Sequence, residues 1–247
     1  MNDAPDLRGR TVIVTGASSG IGTATARALH AAGAQPVLAA RRTQRLDALS
    51  AQLGGALSVQ TDVTDADQVA VLVAAALDRH GRIDALVNNA GVSLHDETIE
   101  QLDLDQFHRV LDLHVVSVIR LMQAVLPAMR RQGFGRIVNI SAGTTGMVIP
   151  GVGAYAATKS AVNMLSAVAR KELEGIGVTV SVVLPSTTAT EFGGGRFKTG
   201  QETRPGLITH SPDYVADVIL QALRTGQERI DIPHGDEQPE LAGTPAR

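Results

Sequence analysis

Eight residues, Thr15-Gly16-Ala17-Ser18-Ser19-Gly20-Ile21-Gly22, constrain this chain more than any other segment. They follow a short apolar run at 11–14 and open into a stretch of helical period at 21–32. Glycines at 16, 20 and 22 let the backbone turn tightly between a strand and a helix and let a ligand approach the main chain closely. The helix that starts there offers free N–H groups and the positive end of its dipole, which suits the pyrophosphate of a dinucleotide. A strand, a glycine turn and a helix in that order open a βαβ unit, so the rest of the chain has to supply a parallel sheet.

The remaining pattern supplies it. Apolar runs at 36–40, 56–60, 83–87, 136–140, 178–184 and 229–232 read as strands, separated by helical patterns at 44–53, 65–79, 103–132 and 153–175. Ser211 followed by Pro212 starts a last helix that runs to 225, with serine as cap and proline in the first turn. The strands are short and apolar without clean alternation, as expected where helices cover both faces. The expected fold is α/β, a doubly wound parallel sheet of about seven strands in one domain over 1–233. Residues 186–210, which include Gly193, Gly194 and Gly195, read as a mobile lid, and the polar stretch 234–247 as a disordered tail.

Composition narrows the chemistry. The chain has 247 residues, a formal net charge of -3 and no cysteine, which removes disulfides, thiolate metal sites and cysteine nucleophiles. A near-neutral charge balance gives no footprint for nucleic acid. The longest apolar run, 69–77, falls short of the ~18 residues of a membrane span, and the polar start of the chain has no signal-peptide core. A soluble, cytoplasmic protein with no nucleic-acid or membrane partner is expected. The seven histidines show no metal-ligand spacing, so no metal site is predicted.

Two further features carry chemistry. Enzymes that prefer NAD place an acid at the end of the second strand, about 20 residues after the glycine loop, to bind the ribose 2′-hydroxyl. This chain reads Ala39-Ala40-Arg41-Arg42 there, with no acid before Asp47. A guanidinium at that point clamps a 2′-phosphate, so Arg41 and Arg42 point to NADP rather than NAD. With two tyrosines and three lysines in the chain, a chance Tyr-x-x-x-Lys match is expected only about 0.02 times. Tyr155 and Lys159 form one, on a helical pattern. Residues i and i+4 share a helix face, so the ammonium is placed to depress the phenol pKa from its ordinary ~10 and make Tyr155 a general acid or base.

Thr15 to Gly22, Asn88-Asn89-Ala90-Gly91, Tyr155 with Lys159, and Pro185 with Thr190 together resemble the short-chain dehydrogenase/reductase family, over roughly 7–233. The resemblance implies a Rossmann-type fold and hydride transfer between NADP and a carbonyl or secondary alcohol. It implies cofactor contacts from Gly16, Ser18, Ser19, Gly20, Ile21 and Gly22 in the glycine loop, and from Asp62 and Val63 against the adenine. Asn88, Ala90, Gly91, Tyr155, Lys159, Pro185, Thr188 and Thr190 would complete the set. It also implies that the two long helices pack against partner subunits in a homodimer or homotetramer.

The chain departs from the family at two places. A serine hydroxyl usually lies thirteen residues before the tyrosine, where this chain has Ala142. Ser141 is one residue off, and on an extended segment neighbours face opposite ways, so it substitutes only if the backbone bulges. Thr144 and Thr145 are further candidates. In the long helix the family's asparagine, which holds a relay water, is replaced by His114, either a proton-passing residue or a hydrogen-bonded interior histidine. Pro185-Ser186 also stands where Pro-Gly is usual. The substrate pocket would be walled by 92–96, 143–152 and the lid, whose Arg196, Lys198 and Arg204 would suit an anionic substrate. These departures keep a second reading open, a protein that binds NADP(H) with little turnover, as a sensor or structural subunit.

Overall fold

The computed structural model describes residues 6–94, 97–204 and 207–233. β1 (Thr11–Thr15) runs into the glycine turn and α1 (Gly20–Ala31) leaves it. There follow β2 (Gln35–Ala40), α2 (Thr43–Gln52), β3 (Ser58–Gln60), α3 (Ala66–His80) and β4 (Ala85–Asn88). The second half holds α4 (Leu104–Leu111), α5 (Ser117–Gln132), β5 (Gly135–Ile140), α6 (Gly153–Leu173) and β6 (Val178–Leu184). It ends with a small hairpin of β7 (Glu202–Arg204) and β8 (Leu207–Ile208), then α7 (Pro212–Thr225) and β9 (Arg229–Asp231).

Seven strands form one parallel sheet in the order β3-β2-β1-β4-β5-β6-β9. The chain steps outward from β1 to β3, then returns to the other side of β1. A crevice therefore opens at the C-terminal ends of β1 and β4, where the direction of winding reverses.

Both faces of the sheet are buried, which is why its strands read as unbroken apolar runs. Val12, Val14, Leu38, Ala40, Val87 and Val138 pack under α1, α2 and α7. Their neighbours Ile13, Val37, Ala39, Leu86 and Ile137 pack under α3, α5 and α6. The period of two persists, but each parity meets a helix layer instead of water.

Helix ends follow from the capping chemistry. Asp65 accepts from the N–H groups of Asp67 and Gln68 at the start of α3, and Ser211 from that of Tyr214 at the start of α7. Two segments differ from expectation. The pattern at 103–132 forms one run from Leu104 to Gln132, but Asp112–Val116 is wound as a π-turn between α4 and α5. The whole run is long and apolar enough to cross a membrane by length and composition. Its apolar side, including Leu121, Val125 and Met129, is buried against the sheet, so its hydropathy is that of a core helix. The segment read as a lid contains a turn at Phe192–Gly194, with Gly193 in the left-handed region, and the short pairing of β7 with β8. Residues 234–247, read as a tail, lie outside the described residues.

At the end of the sheet opposite the crevice, Asp84 is 1% exposed and ties β1 to the start of β4. It accepts from Arg10, from both Nε and Nη2 of Arg82, and from the Thr11 N–H. Burial alone would push its carboxyl up, but the bonds from Arg82, Thr11 and Arg10 outweigh that and hold it below the usual value. Because the folded pKa is depressed, its stabilisation is present above the unfolded value of ~3.9 and is lost as pH falls through the folded one. Asp84→Asn should cost about 2 kcal/mol at neutral pH, the guanidiniums being partly solvent-screened, and should flatten the acid limb of the stability profile. Urea unfolding at pH 7 with an unchanged midpoint would contradict this account.

Candidate active site

The glycine loop and the end of β4 are built as one unit. The Thr15 hydroxyl accepts from the N–H groups of Asn89 (2.9 Å) and Ala90 (3.1 Å) and donates to Val87 O (3.2 Å). The Asn89 amide returns a bond to Thr15 O at 2.9 Å. Gly16 has φ +66°, and a Cβ there would lie 2.8 Å from that amide, so the close approach and the left-handed turn both require glycine. Ser19, the N-cap of α1, makes no side-chain cap bond, and no acid lies in the first turn. The first turn of α1 thus has neither a capping side chain nor an acid of its own. Asn88 Oδ1 and Ser186 Oγ are buried without hydrogen-bond partners where β4 and β6 end. These open donors and orphaned oxygens fit a polar, phosphate-bearing dinucleotide.

Around this crevice the remaining predicted cofactor residues take up positions. Thr190 lies against Gly20, its methyl 2.9 Å from where a Cβ would stand. Pro185 O accepts from Gly143 N, and the Thr188 hydroxyl donates to Ser186 O. Asp62 is turned to Thr64 and lies 3.9 Å from Arg41. The two arginines at the end of β2 part company. Arg41 is 69% exposed, whereas Arg42 folds over the glycine loop, with Nε donating to Ser18 Oγ (3.1 Å) and Nη2 to Ser19 Oγ (2.6 Å).

Tyr155 and Lys159 both lie buried in the first half of α6. Tyr155 packs with Leu94, Val110 and Ala142. Lys159 Nζ stands 6.0 Å from its ring centre and donates to Ile140 O at 2.9 Å. The expected depression of the phenol pKa is not what this arrangement produces: burial pushes the Tyr155 phenol upward. Burial also lowers the Lys159 ammonium to about 8, because the interior disfavours the charged form of each group.

Ser141 does not take the place of the missing serine. Backbone pairing continues past β5 through Ser141 N to Val183 O, and Ala142 is extended. No bulge turns the segment, so the Ser141 hydroxyl stays on the far side and donates to Lys159 O. Ala142 belongs to the same small apolar cluster as Tyr155. Thr145 donates to Ala142 O and accepts from Asn163, while Thr144 Oγ1 is buried without a partner. Of the two threonines, Thr144 holds the uncommitted hydroxyl.

His114 sits inside the π-turn, fully buried, its ring edge-on to Tyr155 with centroids 5.6 Å apart. The Val92 N–H points at Nε2 (3.0 Å), and Nδ1 lies 3.0 Å from Thr158 Oγ1, which donates to Tyr155 O. A backbone N–H only donates, so Nε2 is the acceptor and the ring proton rests on Nδ1. Burial, reinforced by the Lys159 charge, lowers its pKa to about 3. The substitution for asparagine thus produces a neutral imidazole with both nitrogens engaged, joining the loop after β4 to α6.

Several participants were not singled out from sequence. Asn89 belongs to a motif already recognised, and its role was readable there. Thr158, Arg45, Glu191 and Phe192 carry no local signal, since each acts on a partner far away in the chain. Phe192 stands tilted beside Tyr155 with ring centroids 6.1 Å apart, and Glu191 contacts Arg42 and Arg45. Among the described residues no group of three or more His, Asp or Glu is placed to hold a metal.

The sequence model described as short chain dehydrogenase matches residues 10–200. A 3-oxoacyl-[acyl-carrier-protein] reductase of Synechocystis sp. is 39% identical over 191 residues, 75% of this chain and 77% of that one. The structure of a 3-ketoacyl-(acyl-carrier-protein) reductase from Brucella melitensis, complexed with NADH, aligns with a TM-score of 0.86 at 25% identity, covering 93% of this chain and 98% of that one. An alcohol dehydrogenase from the archaeon Thermococcus sibiricus, complexed with 5-hydroxy-NADP, aligns at 0.81 and 28% identity over 94% and 99%.

The tautomer of His114 is directly measurable. Long-range 15N spectra should show a neutral, Nδ1-protonated ring from pH 8 down to about pH 5, two units above the folded pKa of about 3. An imidazolium signal from His114 at pH 6 would show that the Val92 and Thr158 bonds do not hold it.

Proposed function

Since the chain belongs to the short-chain dehydrogenase/reductase family and is a nicotinamide-dependent oxidoreductase, we propose that it reduces a carbonyl to a secondary alcohol with NADPH, Tyr155 delivering the proton. The observation that carries this is the Tyr155–Lys159 pair, buried one helical turn apart on α6, with Lys159 Nζ 3.9 Å from where a Cβ on Gly91 would stand, in the segment that follows β4. Ser18, Ser19, Gly20, Ile21 and Gly22 would hold the pyrophosphate. Arg42 would hold the 2′-phosphate with the Ser18 and Ser19 hydroxyls, and Arg41 would add charge from the rim. Asp62 and Val63 would flank the adenine, and Asn88, Ala90, Gly91, Pro185, Thr188 and Thr190 the nicotinamide half. When bound, the nicotinamide supplies the hydride.

The chain's own residues supply the proton and the shape. Burial keeps Tyr155 a phenol, a donor poised for the reductive direction, while Lys159 remains largely an ammonium at pH 7. His114 acts as a positioning residue: its fixed ring sets the height of α6 under Tyr155 through Thr158 and anchors the wall at Val92. Ala142, Leu94, Val92 and Phe192 add apolar side chains beside Tyr155, which Lys159 and His114 also adjoin, and this favours a ketone or aldehyde with apolar flanks. The lid's Arg196 is turned to Gly193 O, which weighs against the anionic substrate that its basic residues suggest.

Purified protein should oxidise NADPH with members of a ketone and aldehyde panel, and Tyr155→Phe should abolish this. Ala142→Ser should raise kcat about tenfold by restoring a donor to the reacting oxygen, a group whose loss typically costs 10² or more. A large drop in that variant would mean that Thr144 works by a different geometry. Tight NADPH binding without turnover across the panel would leave the binding-protein reading standing.

We read the enzyme as a cytoplasmic homodimer or homotetramer. Val116 in the π-turn and Met164 and Val168 on α6 are large, exposed apolar side chains that association of these helices would cover. Light scattering should give a multiple of 25.8 kDa; a monomeric mass at micromolar concentration would remove this reading.

A further inference from the structure

Three consecutive residues of the lid each touch a different part of the crevice. Thr190 lies on Gly20 of the glycine loop, Phe192 stands tilted beside the Tyr155 ring, and Glu191 between them reaches the arginines that follow β2. One Glu191 oxygen, Oε2, lies 2.7 Å from Arg45 Nη1 and 3.3 Å from Arg42 Nη1. Arg42 simultaneously donates to Ser18 and Ser19. A single carboxylate oxygen is therefore shared by two guanidiniums, one of which is held by the two serine hydroxyls of the glycine loop. These donors converge as a bound oxyanion would require.

We propose that the Glu191 carboxylate occupies the subsite in which Arg42 and Arg45 take the cofactor's 2′-phosphate, and that Glu191 thereby sets the discrimination between phosphorylated and unphosphorylated nicotinamide cofactors. This rests on the NADPH reading above and deepens it, adding Arg45 as a phosphate ligand and Glu191 as its internal competitor.

The energetics make such an exchange workable. Arg42, Arg45 and Glu191 are 46%, 47% and 58% exposed, and ion pairs of that kind are weak. The bonds from Arg45 and Arg42 hold the Glu191 carboxyl below its usual pKa, so it competes as an anion throughout the neutral range. A phosphate monoester offers close to two charges and three acceptor oxygens against one charge and, here, one shared oxygen. Arg42 and Arg45 can thus leave Glu191 for a phosphate, whereas a ribose hydroxyl cannot draw them away. Gly193, Gly194 and Gly195, all at positive φ, follow Phe192, so no side chain restricts the backbone next to this stretch. A cavity of about 570 Å³, lined in part by Ser18, Ser19, Thr190 and Glu191, leaves room for the displaced carboxylate.

The test is binding, read by calorimetry with 2′,5′-ADP, 5′-AMP, NADPH and NADH on the full-length protein and on Glu191→Gln and Glu191→Ala. Loss of the competitor should tighten 2′,5′-ADP and NADPH about three- to tenfold in both variants, the scale of a weak exposed pair, and leave 5′-AMP and NADH within twofold. Unchanged or weaker 2′,5′-ADP binding, or equal tightening of all four ligands, overturns the inference. Failure of the underlying reading looks different: the unsubstituted protein would bind 2′,5′-ADP no tighter than 5′-AMP.

Discussion

One hydroxyl holds the two halves of the crevice together. Thr15 Oγ1 takes two N–H groups from the segment after β4 while giving its proton to Val87 O. The Asn89 amide closes the link from the other side. Buried polar groups left unmade cost about 1–3 kcal/mol each, so this small network leaves the two segments little freedom to part. Because β1 and β4 are where the winding reverses, the two edges of the crevice are set from here. The open N–H groups of α1 depend on the glycine turn, and the glycine turn on the amide that fills the space a side chain would need.

A second chain of contacts carries that register to the phenol. Val92 continues from the Asn88-Asn89-Ala90-Gly91 segment, His114 accepts from it, and Thr158 passes the connection to Tyr155 O. The π-turn at Asp112–Val116 gives His114 the position from which its ring reaches both sides; such turns inside α-helices are often found at functional sites. What reads as a damaged motif is therefore a differently satisfied one, in which an imidazole bridges loop and helix directly. The replacement of serine by Ala142 has no such counterpart: it puts a methyl into the apolar cluster that includes Tyr155, with Thr144 as the nearby segment's free hydroxyl.

The sheet was legible almost throughout, because short apolar runs bounded by helical patterns are produced by few architectures other than two-sided burial. Errors fell at element ends, as with β3, which begins at Ser58 rather than Ala56, and β4, which spans Ala85–Asn88 rather than 83–87. The π-turn was not legible, since its residues keep the helical spacing of apolar positions. The orientation of Ser141 was half legible: alternation placed it on the wrong face, but only the unbroken pairing with β6 excluded a bulge.

By itself the sequence determined the class of fold, the glycine turn between β1 and α1 and the placing of Tyr155 and Lys159 on one helix face, since each rests on local spacing: glycines in a turn, a period of two or 3.6, side chains one helical turn apart. Only the tertiary structure decided which of Arg41 and Arg42 folds over the glycine loop, that His114 is locked neutral, and that Glu191 and Phe192 meet the site at all. Those outcomes depend on burial and on partners up to 149 residues distant in the chain. The pKa of a phenol or an imidazole likewise follows from what surrounds it, and no spacing in the sequence records that.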